Sequence, residues 1–300
     1  TRPEGPGSVL SPAVPSLSQA CGSHLRVGRR LQAALRDGGL EGGEVGLDTY
    51  FAMARGTPTQ APDEGCAHQH AGGDVPAQEM TKWFDTNYHY MVPEVSPGQA
   101  FALSGTKPVD QFLEAKALGH QTRPVILGPV TWLLLAKSKT DGFRPLSLLR
   151  QLLPVYAELL ARLKAAGAEW VQIDEPALVL DLDEAAREAF RVAYAALASA
   201  APGLQILLAS YFGALGDNLQ TVATLPVNGL HIDLVRAPEQ LESVLAAVRP
   251  DLLLSLGVDR RAQCVEGRSC GHSGPDRAGR CVAPPPARPL LLAVARADQS

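Results

Sequence analysis

Between residues 123 and 258, short apolar runs alternate with stretches of helical spacing, and few architectures accommodate that. "RPVILGPV" (123–130) reads as a strand stopped by Gly-Pro. "PLSLLRQLLPVYAELLARLKAAGA" (145–168) is helical, with Pro154 marking a kink or a break between two helices. "EWVQIDEPAL" (169–178) is a strand pattern ended by charge and proline. "DEAAREAFRVAYAALASAAPG" (183–203) is a helix with Asp183 as its N-cap. Strand patterns follow at 204–213, 228–238 and 251–258, with a helix at 239–250 between the last two. Such alternation implies parallel strands joined by helical crossovers.

The strands are apolar on both faces, as strands covered on both sides must be. Two architectures fit: a doubly wound open sheet and a (β/α)8 barrel. No G-x-G-x-x-G opens a helix, so a dinucleotide site has no support. Polar residues gather at strand ends: Asp174 and Glu175, Ser210 and Tyr211, and Asp233. Barrel enzymes carry their sites on that face. The expected fold is therefore α/β, an incomplete (β/α)8 TIM-type barrel with disordered N- and C-terminal segments.

The pattern bounds a domain at 47–258, with a loop insertion of turn formers near 57–73. Residues 1–46 are poorly organised apart from one helical stretch at 24–39, and a chain that opens on Thr1 reads as a piece of a longer one. Residues 259–300 mix Arg, Gly, Cys and Pro without periodicity and read as a disordered tail, in which "LLLAVARA" (290–297) is apolar but isolated. A net charge of -4 argues against a nucleic-acid partner. No apolar run approaches the roughly 18 residues that span a bilayer. Five irregularly spaced cysteines suggest no disulfide framework, and a reduced, cytoplasmic setting is expected. Cys264, Cys270, His272 and Cys281 lack the spacing of a zinc knuckle, and Cys66, His68 and His70 read as a chance cluster, so no metal site is expected.

"EMTKWFDTNYHYMVPE" (79–94) fits none of these categories. It is too polar for a core strand and lacks helical periodicity, yet it concentrates aromatic side chains that are costly to expose. The longer stretch "DVPAQEMTKWFDTNYHYMVPE" (74–94) resembles the signature segment of cobalamin-independent methionine synthase, N-terminal domain. The resemblance continues through "LDTYFAMARG" (47–56), "RPVILGPVTWLLLAKSK" (123–139), "AGAEWVQIDEPALVLDL" (166–182), "LASYFG" (208–213) and "LPVNGLHIDLVR" (225–236).

The resemblance implies methyl transfer from 5-methyltetrahydropteroylpolyglutamate to homocysteine, giving methionine. Members of the family have two (β/α)8 barrels with folate between them and use zinc, not cobalamin. The zinc and homocysteine sites belong to the C-terminal barrel, whose ligands this chain lacks, so the chain alone is expected to be inactive. Two alternatives stand beside that reading: a non-catalytic truncated or pseudogene-like fragment, and a barrel that works with a separate zinc-bearing chain.

By the same resemblance Lys82 contacts folate, a point charge with three donors suiting an anionic glutamate tail. Its bland alternative is a surface lysine lying over Trp83. Trp83, Phe84, Tyr88 and Tyr90 either wall a cleft or pack the barrel mouth, with packing expected for at least two of them. Asp85, Asn87 and His89 are expected to shape the loop by hydrogen bonds to backbone groups. Asp174 and Glu175 either belong to a substrate site or form a salt-bridged pair closing the rim, the second being preferred.

Overall fold

The structure, a computed structural model, describes residues 54–55, 77–103 and 105–258 together with the backbone of 294–295. The segments 1–46 and 57–73 and nearly all of 259–300 lie outside the described residues.

The aromatic-rich segment is not a simple loop. It forms a hairpin of two short antiparallel strands, β1 (Met80–Lys82) and β2 (His89–Met91), paired Lys82 to His89. It stands apart from the main sheet, which explains how so polar a stretch can be extended. Helix α1 (Lys107–Ala117) follows, a segment without a clear sequence signal.

The main sheet comprises β3 (Val125–Leu127), β4 (Trp170–Asp174), β5 (Gln205–Ala209), β6 (Gly229–Asp233) and β7 (Leu253–Gly257), all parallel. A two-residue strand, β8 (Val294–Ala295), runs antiparallel against β7, so this part of the "LLLAVARA" stretch is not isolated. Strand order in the sheet equals strand order in the chain. A doubly wound sheet reverses its order at a switch point. The described strands show no reversal, and they match consecutive staves of an incomplete (β/α)8 barrel.

Between β3 and β4 the chain forms α2 (Pro129–Leu135) and α3 (Leu149–Ala165). The Gly-Pro that stops β3 also starts α2, because proline is well placed in a helix's first turn. α3 runs through Pro154 without a break, contrary to one of the sequence options. Pro154 lies on the solvent face, where water can meet the carbonyl it frees, while Leu152, Leu153, Val155 and Tyr156 are buried around it.

α4 (Glu184–Ala200) begins where Asp183 accepts a hydrogen bond from the Ala186 amide at 2.8 Å. Its buried residues Ala186, Ala189, Phe190, Ala193, Tyr194 and Leu197 form one helical stripe packed with α3 and the sheet. Two short helices, α5 (Leu219–Thr224) and α6 (Gln240–Ala247), complete the crossovers. Among the described residues no helix is long and apolar enough to cross a membrane.

Candidate functional site

The parallel strands bring their C-terminal ends to one edge. β4 ends in Asp174 and Glu175, β5 runs out into Ser210, Tyr211 and Phe212, and β6 ends in Asp233. The hairpin lies across this edge. On one side its base joins the segment after α2: Val95 N–H donates to Lys137 O (2.9 Å), Lys137 N–H to Pro93 O (2.8 Å), and Lys139 pairs with Glu94 (2.9 Å). On the other side Asp85 pairs with Arg236, beyond β6, and the Phe84 ring meets the Phe212 ring at 5.3 Å.

Trp83 and Tyr90 are buried and meet edge-on at 5.4 Å, while Phe84 and Tyr88 are partly buried against the core. The loop between β1 and β2 is braced by Thr86, a residue with no signal in the sequence. Its hydroxyl donates to Trp83 O (2.6 Å) and accepts from the Tyr88 amide (3.2 Å). Asp85 reaches across to Arg236 instead of bonding the loop backbone, and Asn87 and His89 are exposed. Lys82 is exposed and makes no ion pair among the described residues.

Asp174 and Glu175 are both fully buried, but they face different surroundings. Glu175 accepts from the Thr131 amide (2.7 Å), the Val130 amide (3.3 Å) and the Tyr194 hydroxyl (3.4 Å). It thus satisfies free amides in the first turn of α2 and is not half of a salt bridge closing the rim, as the sequence had suggested. Burial pushes its pKa up to about 7, against the opposing pull of these hydrogen bonds. Tyr156 donates to Leu127 O (2.8 Å) nearby, and burial beside Glu175 raises both tyrosines well above their ordinary value.

Asp174 faces the opposite side of the sheet from Glu175, as successive strand residues must. It accepts from Gln172 Nε2 (2.8 Å) and from the Tyr211 hydroxyl (3.2 Å), while Arg123 donates to Gln172 Oε1 (2.9 Å). His231 Nδ1 lies 2.9 Å from Ser255 Oγ. That distance suits a base and a nucleophile. However, both residues sit mid-strand, Ser255 is 2% exposed, and burial lowers the histidine's pKa despite Asp174 and Asp233. The pair is therefore internal wiring and not an accessible dyad.

Asp233 organises the loops above it. Its carboxylate accepts from the amides of Phe212 (3.1 Å), Val235 (2.9 Å) and Arg236 (3.0 Å). Arg236 and Phe212 are the site residues that sequence reasoning missed. The available signal was an arginine three residues past a strand-terminal aspartate. Among the described residues, three buried polar atoms, Trp83 Nε1, Trp132 Nε1 and Ser210 Oγ, have no hydrogen-bond partner.

A separate cleft of about 220 Å³ opens at the opposite end of the strands, lined by Trp170, Gln205, Asn228 and Arg249. Arg249 is bound to Leu225 O and Val227 O, and Asn228 to the Ile206 amide, so its polar groups serve the backbone. Among the described residues no three His, Cys, Asp or Glu side chains are grouped to hold a metal. All five cysteines, with His68, His70 and His272, fall outside them.

A family model described as the N-terminal domain of cobalamin-independent synthase matches residues 35–269. The chain belongs to that family. It is 62% identical over 224 residues to the 5-methyltetrahydropteroyltriglutamate–homocysteine methyltransferase of Caulobacter vibrioides. That alignment covers 73% of this chain and 29% of the relative. The protein of the same name from Mesorhizobium japonicum is 64% identical over 219 residues, covering 72% of this chain and 28% of its own length. The chain thus spans less than a third of the curated relatives it matches. Among solved structures, the B12-independent methionine synthase from Shewanella sp. W3-18-1 aligns with a TM-score of 0.43 at 17% identity, covering 59% of this chain and 56% of its own. Membership in a cobalamin-independent family agrees with the absence of cobalamin from the chemistry that the signature segment implies.

Proposed function

We propose that this chain forms the folate-side barrel of a methionine synthase, and that Lys82 receives the glutamate tail of 5-methyltetrahydropteroylpolyglutamate. The observation that carries the reading is an exposed lysine without an ion-pair partner among the described residues, set on a hairpin anchored at both sides to the strand-end face. The names of the relatives supply the substrate class. In the reaction, homocysteine sulfur forms a bond to the methyl carbon as the bond from that carbon to the pterin nitrogen breaks. The electron pair stays on nitrogen, which must be protonated to leave.

Zinc would keep the homocysteine thiol as thiolate when bound. Among the described residues no group fits such an ion, and on this reading the chain's part is to bind and orient the methyl donor. The second barrel would supply homocysteine and metal, whether from the same polypeptide or another. The setting proposed is cytoplasmic, where thiols stay reduced.

Lys82→Ala should weaken triglutamate methylfolate binding several-fold, and monoglutamate binding less. An exposed lysine–carboxylate contact is worth up to about 1 kcal/mol, more when partly buried. Calorimetry with both ligands at low and high salt measures this, and the loss should shrink as salt screens the contact. Equal loss for both ligands would move Lys82 to the pterin end. No loss would return it to an ordinary surface lysine, and a wild-type chain that binds neither ligand would end the folate reading.

We further propose that the folding unit is 47–258, with 259–300 outside the core. Among the described residues β8 meets β7 through two residue pairs, and limited proteolysis should remove the tail and leave a resistant fragment ending near residue 258. Protection of the tail equal to that of 123–258 would move the boundary.

A further inference from the structure

We propose that Arg236 and Asp233 are positioning residues: they clamp the hairpin loop onto the strand ends and thereby set where Lys82 stands. The ligand in this proposal rests on the folate reading above, whereas the clamp rests on geometry alone.

Among the described residues, Phe84 (φ 50°) and Phe212 (φ 83°) are the non-glycine residues with positive φ. Bulky side chains rarely adopt that conformation, and it persists only where the surroundings over-determine it. These two strained residues touch each other, one on the hairpin and one beyond β5. The groups that hold Phe212 are identifiable. Its amide donates to Asp233, and the Arg236 guanidinium lies 5.5 Å from its ring centroid. Asp233 also accepts the Arg236 amide, so one carboxylate fixes both the ring and the cation beside it.

Arg236 then reaches Asp85, one residue past Phe84. With side chains 37% and 55% exposed, that ion pair alone would contribute little. Here it closes a ring of contacts: Asp85 to Arg236, Arg236 to Phe212, Phe212 to Phe84. The hairpin side is stiff, because Trp83 N–H donates to Tyr88 O (2.7 Å) and Thr86 braces the turn. Lys82 immediately precedes this loop and has no ion pair of its own among the described residues. Its backbone position is therefore set by the strands and by this clamp.

The test uses the 300-residue chain with Arg236→Ala, Arg236→Lys, Lys82→Ala and the Lys82→Ala/Arg236→Ala pair, each checked for a cooperative thermal transition. Hydrogen exchange at the Trp83 and Thr86 amides should speed up on the order of tenfold in Arg236→Ala, with β4 to β6 unchanged. Affinity for methylfolate triglutamate should fall by the factor seen for Lys82→Ala, and the double variant should lose no more than either single one. Arg236→Lys should recover part of both, since it keeps the charge but not the planar stack. Unchanged exchange at both amides overturns the clamp, and losses that multiply in the double variant overturn the positioning of Lys82. If wild type binds neither pterin ligand, the folate reading falls together with the positioning role, and the exchange result alone decides the clamp.

Discussion

Gly128→Ala is expected to destabilise the domain by about 2–6 kcal/mol, as read by urea unfolding. Gly128 has φ -73° and ψ 150°, a conformation open to any residue, so the cost is not in the backbone. It lies in space: an added Cβ would stand 2.0 Å from Glu175 Oε1 and 2.1 Å from its Cδ. Glu175 is fully buried and its partners are fixed amides, so it cannot swing aside without abandoning them. Overpacking costs roughly 1–3 kcal/mol, and stranding a buried carboxylate costs about as much again. The same substitution in a Glu175→Ala background should cost under about 1 kcal/mol, because the obstacle is gone. A loss under about 1 kcal/mol in wild type would mean that Glu175 has room to move.

A second large effect is expected from pH. Burial raises the Glu175 pKa from 4.5 to about 7, so the folded state holds a proton that the unfolded state has released between those values. This group's contribution to stability is therefore full below pH 4.5, declines as pH rises, and is lost above about pH 7. Each tenfold difference in proton affinity between the two states is worth about 1.4 kcal/mol, so the swing is about 3 kcal/mol. Glu175→Gln keeps an acceptor for the Thr131 amide but cannot titrate. The difference in unfolding free energy between wild type and this variant should change by that amount from pH 4.5 to 7.5, with wild type relatively weaker at the upper end. Parallel curves for the two proteins would show that Glu175 is ionised throughout, held by α2 amides that outweigh its burial.

Local regularities made the site partly legible. Asp174 and Glu175 were found at a strand end because an acidic pair before proline cannot continue an apolar strand. Their roles were not legible, since adjacent strand residues point to opposite faces and only neighbours from elsewhere decide what each meets. Glu175 meets α2 because Gly128 leaves room for it. Asp174 meets Gln172, which lies on its own face of β4, and Tyr211 from beyond the next strand. The aromatic segment stood out by composition, but its loop brace came from Thr86, which nothing local distinguishes. Arg236 is 151 positions from Asp85, a separation that no local pattern spans.

The sequence by itself determined the order of β3 to β7, the helix cap at Asp183, the strand ends that carry polar groups and the family of the signature segment. These follow from periodicity, capping and residue chemistry, which act over a few neighbouring positions. Only the tertiary structure decided that the sheet keeps chain order, that α3 passes through Pro154, that Glu175 serves a helix start and not an ion pair, and that the hairpin is clasped to the strand ends. Each of those depends on which distant side chains fill the space beside a residue, and packing settles that for the whole fold at once.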